Sequence, residues 1–172
     1  MHTFSLGEDF RMSATDLFHW TDEFSINIQE VDEQHKVLVD LLNQLHTAIR
    51  EHHGTATSRQ ILDRLAEYTR THFLLEESLM RMTHYPGFEI HKQQHEDLIA
   101  QVRTLQHKLD HENAAITFEL LHFLKNWLVQ HINDSDRRFG MHFQKAGLGQ
   151  YSAWSQEVEQ TMQKKKWWWK FW

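Results

Sequence analysis

Over most of its length this chain places an apolar side chain every three or four residues, and its single proline, Pro86, falls in a break between two such stretches. A period near 3.6 gathers apolar groups on one side of a helix, and proline is excluded from helix interiors because it lacks an N–H and clashes with the preceding turn. The pattern predicts an all-α chain. A first helix over 33–51 carries Leu38, Val39, Leu42, Leu45 and Ile49 on one side and begins near Asp32, after a polar arm with a loop-like aromatic stretch around Trp20, Phe24, Ile26 and Ile28. Gly54 ends it, and Thr57 or Ser58 caps a second helix that runs to about residue 83 with Ile61, Leu65, Tyr68, His72, Leu75, Leu79 and Met82 down its buried stripe. Tyr85, Pro86 and Gly87 form a stop. A third helix spans about 89–111 with Leu98, Val102, Leu105 and Leu109. A fourth spans about 114–139 with Leu120, Leu121, Leu124, Trp127 and Leu128. Gly140, Gly147 and Gly149 punctuate the chain beyond it. Short connections between amphipathic helices predict an antiparallel up-and-down four-helix bundle. The expected division is an N-terminal arm over 1–19, the bundle over 20–150, and a C-terminal helix and tail over 151–172.

Several function classes recede on composition. A net charge of -6 offers no broad basic surface for a nucleic-acid backbone. The absence of cysteine excludes disulfides, thiolate zinc sites and cysteine-held iron–sulfur clusters, so any metal must take nitrogen and oxygen donors. The first nineteen residues lack the apolar core of an export signal, and no run of about eighteen apolar residues occurs. A cytoplasmic protein is expected. Fifteen histidines are then unexplained by packing alone.

Helical geometry sorts them. Measured around the axis from His91, His95 falls at about 40° and Leu98, Val102, Leu105 and Leu109 all within about 40°, so both imidazoles face the core. His107 falls at about 160° and His111 at about 200°, so this pair faces solvent. Measured from His72, Glu76 lies at about 40°, beside Leu65 and Leu79, while Glu77 lands at about 140° and reads as outward. His35 shares the face of Val39 and Leu42. His46 shares that face too, but about 16 Å further along the axis. His131 lies with Leu120, Leu124 and Trp127. After it, Asp134 would fall about 60° to one side and Asp136 about 140° to the other, which leans toward Asp134 unless a widened turn brings Asp136 round. Five inward imidazoles on four helices, left without partners, would each cost on the order of 2 kcal/mol. A shared metal site removes that cost.

The motifs Asp32-Glu33-Gln34-His35, His72-Phe73-Leu74-Leu75-Glu76-Glu77, His91-Lys92-Gln93-Gln94-His95 and His131-Ile132-Asn133-Asp134-Ser135-Asp136 resemble those of bacterial hemerythrins, over about residues 20–140. The resemblance implies two iron ions in a non-haem, oxo- or hydroxo-bridged pair that binds dioxygen reversibly for carriage, storage or delivery. It implies His91, His95 and His131 on one ion, His35 and His72 on the other, and Glu76 and Asp136 bridging. Here the family spacing selects Asp136 and a distorted helix end. It also implies an oxygen pocket of Phe73, Trp127, Leu128 and Ile132.

Rival readings use the same metals: a di-iron oxidase or peroxidase, or an oxygen sensor module. Zinc or manganese would also suit nitrogen and oxygen donors. No inward acid beyond the ligands stands out as a proton donor, which favours binding over turnover and a protein that is not an enzyme. The sequence does not set the oligomeric state. Residues 164–172, three lysines followed by tryptophans, Lys170, Phe171 and Trp172, read either as an incidental terminus or as a peripheral anchor on an anionic membrane or an oxidase partner.

Overall fold

The computed structural model describes residues 16–111 and 116–147. The first fifteen residues, the expected helix near Trp154 and the Lys/Trp tail lie outside the described residues. Helix α1 is Gln29–Arg50, α2 is Thr55–Met82, α3 is Phe88–His111 and α4 is Phe118–His131; a π-helical turn, Ile132–Asp136, then leads into α5, Arg137–Lys145. A short 3-10 turn, Asp22–Phe24, precedes them. Among the described residues there is no strand. Helix α1 packs on α2 and α4, and α2 on α3. Hydrogen bonding of Ser135 to Gln94 links the end of α4 back to α3, closing a four-helix bundle around Leu38, Leu45, Leu62, Met80 and Leu121, all essentially without solvent contact.

Several details depart from the expected pattern. Helix α1 begins at Gln29, three residues before Asp32, because Asp32 accepts hydrogen bonds from the Ser25 hydroxyl at 2.6 Å and the Ile26 N–H at 2.9 Å. The carboxylate thereby folds the arm back over the helix start and satisfies donors that the entry would leave unpaired. The arm is also fixed further back, where Phe18 exchanges both backbone groups with the Asn43 amide at 3.1 and 2.8 Å. Helix α2 starts at Thr55, directly after Gly54 at φ 92°, so Thr57 and Ser58 lie inside the helix. Met82 is exposed at the last turn of α2 rather than buried, and the chain leaves the helix through His84 at φ 51°, with the Tyr85 N–H returning to the Met80 carbonyl.

Gly140 does not interrupt the chain as its composition suggests; it is buried within α5. A Cβ at this position would lie 2.5 Å from the Ile26 carbonyl oxygen, so glycine lets α5 lie against the arm. Arg137 and Gln144, on the same helix, donate to the carbonyls of Glu23 and Asn27. Gly140→Ala is expected to destabilise the protein by about 1–3 kcal/mol through overpacking, seen as a lowered melting temperature. An unchanged melting curve would show that the arm is not held here.

Candidate metal centre

Four helices deliver imidazoles to one end of the bundle because His35 and His91 lie near the starts of α1 and α3, while His72 and His131 lie toward the ends of the antiparallel α2 and α4. His95 stands one turn beyond His91, and Glu76 one turn beyond His72. All five histidines, with Glu76 and Asp136, are buried. Two donor groups result: Glu76, His91, His95, His131 and Asp136 in one, and His35, His72 and Glu76 in the other.

The π-helical turn decides between the two candidate aspartates. The Arg137 N–H reaches back to the Ile132 carbonyl, a five-residue spacing that inserts one extra residue into the turn. Asp136 therefore arrives where the residue four along would stand in a regular helix. Asp134 is exposed and paired with Arg138 at 2.6 Å.

Asp136 faces both groups. Its Oδ1 lies 3.1 Å from Nε2 of His91 and 3.1 Å from Nε2 of His131, while Oδ2 lies 3.3 Å from Nε2 of His35. Glu76 does the same with one oxygen: Oε2 is 3.3 Å from Nε2 of His95 and 3.7 Å from Nε2 of His72. Nε2 of His131 stands 3.0 Å from that of His91 and 3.0 Å from that of His95. Nitrogens bound about 2.1 Å from one ion at right angles lie about 3.0 Å apart, and about 3.4 Å apart on a tetrahedral ion. Spacings of this size fit imidazoles that converge on one cation.

The polar atoms point to the same requirement. Both oxygens of Glu76, both oxygens of Asp136, both nitrogens of His35 and Nδ1 of His91 are buried without a hydrogen-bond partner. Buried polar groups are almost always satisfied, so this concentration at one place calls for a cation. Burial pushes the His72 imidazole down to about 3, which keeps it neutral with a lone pair to donate. Burial acts the same way on His95, but the carboxylates of Glu76 and Glu77 outweigh it and hold that imidazole up at about 8. Burial also opposes ionisation of Asp136; the imidazoles of His131, His35 and His91 nonetheless keep its carboxyl well below the usual range. The pocket attracts positive charge and holds anions, a setting that suits bound cations.

Apolar groups enclose the donors. Phe73 stacks on His95 with ring centroids 3.6 Å apart, and Trp127 stacks on His131 at 4.3 Å. Phe73, Trp127 and Leu128 border an apolar void of about 30 Å³ that continues between Leu38, Leu42 and Leu65. Ile132 is fully buried but is not part of that lining. His107 and His111 face solvent and stack on each other at 4.2 Å, and His46 packs against Phe118.

Sequence reasoning missed three neighbours of the site. Glu77, read as outward, is buried and accepts from His95 Nδ1 at 3.4 Å. Helix α2 meets α1 through His72 and α3 through Glu77, so its buried face is wider than one stripe. Gln34 accepts from His72 Nδ1 at 3.1 Å, and Trp20, in the segment ahead of α1, lies over His35 at 5.9 Å. Gln34 stands directly before His35, and Glu77 directly after Glu76. Those adjacencies were the available signal.

Comparison with known proteins agrees with this geometry. The sequence matches the hemerythrin HHE cation-binding domain over residues 27–142. It is 34% identical to a bacteriohemerythrin of Methylococcus capsulatus over 125 residues, 72% of this chain and 95% of that protein. It is 30% identical to a myohemerythrin of Sipunculus nudus over 124 residues, 72% of this chain and 92% of the relative. A crystal structure of wild-type hemerythrin superposes with a TM-score of 0.71 at 32% identity, covering 74% of this chain and 98% of the other.

Proposed function

Because this chain belongs to the hemerythrin family, we propose that it binds dioxygen reversibly at a non-haem di-iron centre built within residues 20–150, between an arm over 1–19 and a tail over 151–172. The observation that carries this reading is the doubly facing Asp136, whose two oxygens address separate imidazole groups 3.1 and 3.3 Å away.

In the proposed assignment His91, His95 and His131 would hold one ion, His35 and His72 would hold the other, and Glu76 and Asp136 would serve both. Two bridged iron ions would supply the electrons and the open coordination position that dioxygen requires. With two imidazoles against three, the group of His35 and His72 is the one that would have room for it. Phe73, Trp127 and Leu128, which border the void, would exclude water, because a small apolar space stays dry and admits a diatomic gas without competition, and Ile132, fully buried outside that lining, would add to the apolar surroundings. Dryness also withholds protons, whose arrival would turn binding into peroxide release.

Stopped-flow mixing of the reduced, iron-loaded protein with oxygen tests the proposal. A persistent oxygenated absorption band that reverses on deoxygenation is expected. Rapid release of hydrogen peroxide in place of that band would reject the carrier reading.

No helix among the described residues is long and apolar enough to cross a membrane. We propose a cytoplasmic protein in which residues 164–172, an incidental terminus on the other reading, form a peripheral anchor whose lysines suit anionic headgroups and whose tryptophans suit the interface. Sedimentation with vesicles containing anionic lipid should fall on deleting those nine residues; equal sedimentation of both forms would remove the anchor.

A further inference from the structure

The two donor groups differ in what stands behind them. In each group one imidazole donates a hydrogen bond from its Nδ1–H to an outer acceptor, which fixes the tautomer and turns Nε2 inward. His95, in the larger group, donates to the Glu77 carboxylate at 3.4 Å, and Arg81 secures the other Glu77 oxygen at 3.1 Å while its own guanidinium lies over the Phe88 ring at 4.8 Å. His72, in the smaller group, donates at 3.1 Å to the Gln34 side-chain oxygen, which carries no charge. Nδ1 of His35 and of His91 has no such partner.

An imidazole hydrogen-bonded to a carboxylate is a stronger donor to its metal than one bonded to an amide, because the anion draws the Nδ1 proton away and leaves more electron density on Nε2. We propose that Glu77 and Gln34 are positioning residues that make the two metal positions unequal. Glu77 enriches and anchors the position held by His91, His95 and His131. Gln34 orients His72 without adding charge and leaves the position of His35 and His72 the more electrophilic of the two. The inequality therefore arises from outer partners as well as from the count of imidazoles. This inference rests on the di-iron reading.

The test uses the iron-loaded full chain and the variants Glu77→Gln, Glu77→Asp and Gln34→Glu, followed by chelator competition and by potentiometric titration. Glu77→Gln keeps a hydrogen-bond acceptor of the same size, so a purely structural role would leave the potential unmoved. The expected results are a roughly 10- to 100-fold weaker hold on metal and a midpoint potential moved positive, of the size outer-partner changes ordinarily cause. Glu77→Asp keeps the charge but withdraws it from Nδ1, and should move the same way; a wild-type potential in this variant would overturn the contact mechanism. Gln34→Glu should move the potential negative, and no movement would overturn the inference even where the Glu77 variants fail to fold. Wild-type protein that takes up no pair of irons would instead sink the di-iron reading itself.

Discussion

Asp136→Ala is expected to lose both metal ions while the helices remain. In the proposed assignment every ligand except Glu76 and Asp136 serves one position, and Asp136 turns Oδ1 toward His91 and His131 and Oδ2 toward His35, so its removal would strip a donor from each. Loss of an outer hydrogen-bond partner weakens metal binding by about 10- to 100-fold, and loss of a bridging ligand must exceed that. Alanine also removes one of the anions that offset the mutual repulsion of two neighbouring cations. Metal analysis should fall from two irons per chain to fewer than one, with a helical circular dichroism spectrum close to wild type. Asp134→Ala is the control, since that side chain is exposed and bound to Arg138. Equal iron in both variants would mean that the π-helical turn does not deliver the bridging carboxylate.

That turn marks the limit of what helical periodicity can reveal. Leu38, Leu42, Leu65, Leu98 and Leu124 lie in the core as their spacing demands, because burial of an apolar stripe is dictated by the same angular step, about 100° per residue, that the sequence displays. His35, His72, Glu76, His91 and His95 followed by the same arithmetic. Asp136 did not, since the step itself changes between Ile132 and Asp136, and only the family spacing pointed to it. Glu77 failed for another reason: a helix between two neighbours buries two faces, and a wheel centred on one of them assigns the other to solvent. Gly140 failed because its role depends on the Ile26 carbonyl, far earlier in the chain.

The same buried anions and imidazoles that make the site bind metal make the metal-free bundle weak. Each buried polar group without a partner costs about 1–3 kcal/mol, and seven such atoms meet here. Chelation of the metal should therefore lower the melting temperature steeply: two ions each present at about 1,000 times their dissociation constant would contribute about 4 kcal/mol apiece, or on the order of 20 °C together for a chain of this size. Glu76→Met separates this account from ordinary packing. Methionine has nearly the volume of glutamate, and the imidazoles beside Glu76 can become neutral, so no uncompensated charge is left behind. In the metal-free protein the substitution should be neutral or stabilising, by up to about 4 kcal/mol, as for other buried ionic groups replaced by apolar ones. Under iron-loading conditions it should be destabilising relative to wild type, because the ions no longer bind in pairs. Thermal unfolding of both proteins with and without metal reads the change of sign. A Glu76→Met protein less stable than wild type in both conditions would show that the carboxylate supports the fold directly, and that the bundle does not need a cation at its centre.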